Sequence, residues 1–201
     1  MTIDEVMRSA RVIPVLVLEG EGDWKALAET LVGAGLPVLE VTLRTPVALA
    51  AISEMAQVPG AVVGAGTVLN SAQLDAAIGS GARFIVSPGL TEPLASEAIA
   101  SQVPFLPGVA TAGDIMRGLD LGLDRFKFFP AEASGGVAAL KALSAPFADV
   151  RFCPTGGITP EKAPEWLALP SVLCVGGSWI VKPGESDPAG VAERARAAAA
   201  L

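Results

Sequence analysis

The sequence predicts an α/β chain folded as a closed parallel (β/α)8 barrel of the TIM type, with a short helix ahead of the first strand. Two features carry that expectation. Short apolar, β-branched runs recur about every 20 to 26 residues along the 201-residue chain, and the stretches between them are rich in Ala and Leu with helical periodicity. Eight strands alternating with eight helices fit a sheet closed on itself. The alternative is an open doubly wound sheet. Against it, GAGTVL offers Gly64 and Gly66 but has Leu69 where the third glycine of a dinucleotide fingerprint would stand.

In chain order, a short helix is expected over residues 2 to 9, followed by a first strand at VIPVLVL (12–18). DWKALAETLVGAG reads as the next helix and VLEVTL (38–43) as the second strand. TPVALAAISEMA leads to AVVGAG (61–66), and SAQLDAAIGSGA to RFIVSP (83–88). In the last of these helices Ser71 is the expected N-cap, with Gly79 and Gly81 suited to the stop. The remaining strands are VPFLPGV (103–109), RFKFFPA (125–131), VRFCPTG (150–156) and VLCVGGS (172–178). Pro88, Pro107, Pro130 and Pro154 close four of these runs, where a missing N–H ends the ladder. No linker or low-complexity segment divides the chain, so residues 1–201 are expected to form one domain; only the tail RARAAAAL is expected to fray.

Composition narrows the chemistry. With 51% apolar residues and a formal net charge of −7, the chain has the content for a full core but lacks the clustered cations that bind a phosphate backbone, so nucleic acid is not an expected partner. No apolar run is long enough to span a bilayer, and MTIDEVMRSAR lacks the pattern of a signal peptide, which together predict a cytoplasmic protein with a small-molecule partner. There is no His and no Tyr, which excludes Ser-His-Asp and Cys-His nucleophile pairs and imidazole zinc sites. Cys153 and Cys174 have no CxxC spacing and are expected to be packed thiols.

One cation stands out. Of five lysines, Lys25, Lys141 and Lys162 fall in helix-like stretches and Lys182 precedes Pro183 in a loop, while Lys127 alone lies within a strand. Alternation puts Arg125, Lys127 and Phe129 on one face and Phe126 and Phe128 on the other, so Lys127 is expected to point into the barrel. A buried lysine of this kind either pairs with a carboxylate or serves as a nucleophile. In the second case a desolvated amine near another cation more readily becomes neutral, and attacks a carbonyl to form a Schiff base.

VLEVTLR supplies a second inward set, with Val38, Glu40, Thr42 and Arg44 sharing a face. An internal Glu40–Arg44 ion pair would account for it structurally. Beside an inward lysine, Glu40 has the residue type needed to move protons during imine chemistry, and Arg44 is suited to a bidentate grip on a substrate carboxylate. In a barrel the active site lies at the C-terminal strand ends, which is where Thr67 and Pro88 also fall. PTGGI (154–158) and VGGSW (175–179) follow the last two strands. Thr155, Gly156, Gly157, Gly176, Gly177 and Ser178 are therefore candidates for a phosphate site built from backbone N–H groups and hydroxyls. A substrate with a carbonyl, a carboxylate and a phosphate is expected.

Taken together, LEVTLRT, GAGTV, FIVSPG, LPGVAT, KFFPAE, FCPTGGI and VGGSW resemble the family of 2-keto-3-deoxy-6-phosphogluconate and 4-hydroxy-2-oxoglutarate aldolases over nearly the whole chain. The resemblance implies a metal-free, cofactor-free class I lyase of the Entner-Doudoroff pathway, commonly a homotrimer. Such an enzyme cleaves the phosphorylated keto acid to pyruvate and glyceraldehyde 3-phosphate. It further implies that Lys127 forms the Schiff base and Glu40 is the acid/base. Arg44, Thr67 and Pro88 would surround the pyruvyl part and Phe129 would line the pocket, while Thr155, Gly156, Gly157 and Ser178 would contact the phosphorylated end. TAGD at 111–114 departs from the pattern, which leads one to expect a proline and a more acidic helix start there. Two other functions would share these residues: an aldolase for the galactonate-derived epimer, and a non-catalytic sensor of phosphorylated keto acids, against which an inward Lys127 beside Glu40 argues.

Overall fold

Thr2 opens the first helix through a reciprocal cap. Its hydroxyl accepts from Glu5 N–H (3.2 Å) while its own N–H donates to the Glu5 carboxylate (2.6 Å), which satisfies donors that the first helical turn leaves free. This helix, α1 (Ile3–Arg8), precedes β1 (Val12–Leu16), α2 (Trp24–Gly33), β2 (Val38–Thr42), α3 (Ala48–Met55), β3 (Val62–Gly66), α4 (Ser71–Gly79), β4 (Phe84–Val86) and α5 (Glu92–Ala100). The fifth run contains two short strands, β5 (Phe105–Leu106) and β6 (Gly108–Val109). Then follow α6 (Ala112–Asp120), β7 (Arg125–Phe128), α7 (Gly136–Ser144), β8 (Arg151–Pro154), α8 (Ala163–Leu167), β9 (Val175–Gly177) and α9 (Pro188–Ala199). The computed structural model describes residues 1–182, 184–185 and 187–201, so Pro183, expected in a loop, lies outside the described residues.

Two helix starts refine the sequence reading. Asn70 caps α4 in place of Ser71, its Oδ1 accepting from Gln73 N–H at 3.0 Å. At the departing TAGD stretch, Thr111 and Asp114 form a reciprocal cap on α6, with Asp114 Oδ2 accepting from Thr111 N–H at 3.0 Å and the Thr111 hydroxyl accepting from Asp114 N–H at 3.2 Å.

The expected closed eight-stranded barrel is not what forms. The parallel ladders divide into a six-stranded sheet, ordered β5-β4-β3-β2-β1-β9, and a three-stranded sheet, β6-β7-β8, and the larger one is an open half-barrel. Pro107, which has no N–H to donate, splits the fifth run and sends one half to each sheet. On the other side, two isolated bridges join the β8 and β9 regions: Phe152 of β8 to Val172 ahead of β9, and Thr155, just past β8, to Gly176 of β9. The span between those bridges is one residue longer on the Val172–Gly176 side, so a continuous ladder loses register there.

Two apolar layers result from strand alternation. Leu39, Val41, Phe126, Phe128 and Phe152 belong to the large cluster shared with the helices. Ile13, Val38, Phe84, Val86, Leu106, Cys153 and Cys174 form a smaller cluster with Val6 and Met7 of α1. Both α1 side chains are buried, which contributes about 1.5–3 kcal/mol each and makes α1 a plug against the inner faces of the strands. Cys174 is fully buried, and its hydrogen bond with Cys153, together with desolvation, pushes its thiol well above the usual range, so it packs as a neutral thiol.

An ion pair ties the plug down: Arg125 Nε lies 2.6 Å from Asp4, which also accepts from Arg8 Nε at 2.6 Å. The Arg8 and then the Arg125 hydrogen bond hold the Asp4 carboxyl below its ordinary value of 3.8. A depressed folded value means the contribution is present above pH 3.8 and lost as the pH falls through the folded value. Asp4→Asn is expected to lower stability by up to about 1 kcal/mol at neutral pH. Thermal unfolding of the two proteins across pH should show their difference vanishing in acid; a gap that stays constant would mean the pair does not contribute through charge.

Candidate active site

Lys127 and Glu40 meet between the two sheets. Lys127 on β7 donates from Nζ to Oε1 of Glu40 on β2 at 2.9 Å, and their exposures are 6% and 3%. Both point to the inner side, because Phe126 and Phe128 fill the outer layer on one strand while Leu39 and Val41 do so on the other. Val38, two residues before Glu40, and Cys153, the register partner of Lys127, belong to the inner apolar cluster against which the pair sits. Glu40 thus pairs with Lys127 and not with Arg44. The neighbour of the amine is a carboxylate, not a second cation, so a proton leaving the ammonium has an acceptor within hydrogen-bond distance.

Several other expected residues gather here. The Phe129 ring centroid is 5.4 Å from Lys127 Nζ, a cation–π distance. A side chain at Gly156 would meet that ring at 3.4 Å, which places the Gly156–Gly157 turn beside it. Both glycines have positive φ (106° and 78°), a conformation that side chains disfavour. Thr67 follows β3 at φ 59°; for a β-branched residue this left-handed position costs about 1–3 kcal/mol, a strain that concentrates at functional sites. The Pro88 carbonyl packs so closely on β6 that a Cβ at Gly108, the register partner of Lys127, would lie 2.1 Å from it.

The two glycine pairs differ in kind. Gly176 and Gly177 are strand residues of β9, and their missing side chains leave room for Thr155 Oγ1 (2.3 Å from a built Cβ) and the Trp179 ring (2.4 Å). Thr155 is buried with its hydroxyl near the Cys153 sulfur (3.9 Å), while Ser178 is exposed just after β9. Arg44 stands exposed in the turn after β2 and forms no ion pair among the described residues.

Sequence reasoning missed Glu132. After Phe129, whose bond to Pro130 is cis, the chain runs alongside the glycine turn, with Ala131 N–H donating to Thr155 O (2.8 Å) and Glu132 N–H to Gly156 O (3.1 Å). The Glu132 carboxylate accepts from Lys162 Nζ (2.5 Å) and Trp166 Nε1 (3.0 Å), and the Lys162 bond holds it below the usual carboxylate range. Its place directly after KFFPA was the only local signal. A cavity of about 310 Å³ lies apart from these residues, between α2 and α9, lined by Trp24, Leu27, Thr30, Val181 and Val191. Among the described residues no cluster of His, Cys, Asp or Glu is arranged to hold a metal.

Comparison with known proteins places this geometry. A family model of KDPG and KHG aldolases matches residues 3–193. The chain is 61% identical over 199 residues to the 2-dehydro-3-deoxy-phosphogluconate aldolase of Zymomonas mobilis, covering 99% of this chain and 96% of that protein. Among solved structures, the 2-keto-3-deoxy-6-phosphogluconate aldolase of Zymomonas mobilis with 3-phosphoglycerate aligns with a TM-score of 0.96 at 61% identity, over 98% of this chain and 95% of that one. The KDPG aldolase of Legionella pneumophila, with pyruvate captured at low pH as a covalent carbinolamine intermediate, aligns with a TM-score of 0.93 at 43% identity, over 99% and 98%. With a lysine and a carboxylate in contact at its centre and this similarity along its length, the chain belongs to the KDPG and KHG aldolase family.

Proposed function

We propose that this protein is a class I, Schiff-base aldolase that reversibly cleaves 2-keto-3-deoxy-6-phosphogluconate to pyruvate and glyceraldehyde 3-phosphate, and also cleaves 4-hydroxy-2-oxoglutarate to pyruvate and glyoxylate. The observation that carries the reading is the buried 2.9 Å contact between Lys127 and Glu40 in a chain of this family. In its neutral form Lys127 Nζ attacks the C2 ketone, and loss of water from the carbinolamine leaves a protonated imine. Glu40 takes the proton of the C4 hydroxyl. The C3–C4 bonding electrons pass to the imine as the aldehyde departs, leaving an enamine on Lys127. Protonation at C3 and hydrolysis release pyruvate and return the amine.

Arg44 is assigned to the substrate carboxylate, Arg44, Thr67 and Pro88 together to the surroundings of the pyruvyl part, and Phe129 to the lining of the pocket. Thr155, Gly156, Gly157, Gly176, Gly177 and Ser178 are assigned to the distal phosphate end. Two facts support the distal assignment: the Gly156–Gly157 turn lies against Phe129, and an isolated bridge joins Thr155 to Gly176. The family reading extends to a cytoplasmic homotrimer in which residues 1–201 act as one aldolase domain. Consistent with it, no helix among the described residues is long and apolar enough to cross a membrane.

Replacing the exposed Ser178 with Asp tests the phosphate end. A like charge against the phosphate is expected to lower catalytic efficiency on the phosphorylated substrate at least on the order of 100-fold. Cleavage of 4-hydroxy-2-oxoglutarate should fall less, and proton exchange at the methyl group of pyruvate, which uses the Lys127 end, should be nearly unchanged. Equal losses in the three assays would remove Ser178 from the phosphate site.

A further inference from the structure

Gly66 ends β3 on the face that looks at Glu40. Its backbone does not require glycine, since its φ lies outside the left-handed region that ten other glycines of the described chain adopt. What it lacks is space. A Cβ built at Gly66 would lie 2.3 Å from Glu40 Oε1, 2.7 Å from Cγ and 2.8 Å from Cδ. Oε1 is the same oxygen that accepts from Lys127 Nζ. The inward glycine two residues earlier differs, because the three atoms nearest to a Cβ built at Gly64 all belong to the Phe84 ring, at 2.4 to 2.5 Å.

We propose that Gly66 is a positioning residue for the aldolase reaction: its missing side chain is the space that seats the Glu40 carboxylate against Lys127. The proposal rests on the reading of Glu40 as the acid/base group. Gly66 is held in place by the ladder, with Thr42 as its register partner and its carbonyl accepting from Leu43 N–H at 2.8 Å. An added methyl therefore cannot be relieved cheaply by moving the strand. The easiest relief is rotation of the Glu40 side chain, which takes Oε1 away from Nζ. The substitution then acts on the proton-transfer group and leaves the nucleophile where it is.

The test is a double-mutant cycle on the full chain, read by proton exchange at the methyl group of pyruvate, borohydride trapping of the pyruvate adduct, and thermal unfolding. Gly66→Ala is expected to retain the trapped adduct on Lys127 and to lower proton exchange on the order of 100-fold, the scale of a displaced acid/base group. In a Glu40→Ala background, where the obstructing carboxylate is gone, Gly66→Ala should change neither residual exchange nor Tm. If Gly66→Ala alone does not fold, Glu40→Ala/Gly66→Ala must still fold as well as Glu40→Ala. Native exchange in Gly66→Ala, or the same loss in both backgrounds, overturns the proposal. Glu40→Gln separates this from failure of the underlying reading: normal exchange in that variant removes Glu40 as the base, whatever Gly66 does.

Discussion

Lys127→Ala is expected to abolish both cleavage and the pyruvate adduct fixed by borohydride. The amine is the electrophile's only covalent partner in the proposed path, and removal of such a nucleophile costs on the order of 10⁵- to 10⁶-fold in rate. Four other lysines are present, but Lys25, Lys141 and Lys162 lie on or beside helices and Lys182 follows β9, so none shares the contact with Glu40. Peptide mass mapping of the wild-type protein after reduction should place a three-carbon adduct on Lys127 alone. The substitution also strands a buried carboxylate, and breaking such a pair costs about 3–5 kcal/mol, so the variant's unfolding curve must be measured beside its activity. A folded Lys127→Ala protein that still traps pyruvate, or an adduct on Lys25 or Lys141, would defeat the assignment.

Glu40→Gln separates the base from the nucleophile. The amide oxygen can still accept from Nζ and the side chain keeps its length, so the neighbourhood drawn by Gly66, Lys127 and the inner apolar cluster is largely preserved. What disappears is the proton acceptor. Proton exchange at the methyl group of bound pyruvate should fall by about 100- to 10,000-fold, the range in which a positioned acid/base group acts. Adduct trapping at saturating pyruvate should survive, at a slower rate. Exchange at the wild-type rate would show that another group carries the proton.

Much of this was legible along the chain because strands have a period of two. The alternation in RFKFF sets two phenylalanines against one lysine, and VLEVT sets Leu39 and Val41 against Glu40. The structure buries each set on the side the pattern gives it. The same local rule located eight strand runs and the candidate lysine, while the family showed in its motifs by resemblance and not by periodicity. Helix starts were less legible: Asn70 and Ser71 are both good capping residues, and only the hydrogen bond to Gln73 distinguishes them.

Closure, pairing and clearance are the properties that only the tertiary structure decided. Each strand run was readable, but the step at Pro107 and the extra residue between the bridges to Val172 and Gly176 concern registers between segments, and they leave an open half-barrel and a separate three-stranded sheet where a closed barrel was expected. Glu40 was open to two partners; its contact with Lys127, 87 positions away, comes from bringing two sheets together. Likewise nothing in GAGTV distinguishes a glycine needed for a turn from one needed for room. Gly66 is the second kind because a carboxylate from the neighbouring strand occupies the space. Periodicity and motif are local properties of a chain, whereas register and clearance depend on which residues the fold brings to within a few ångströms.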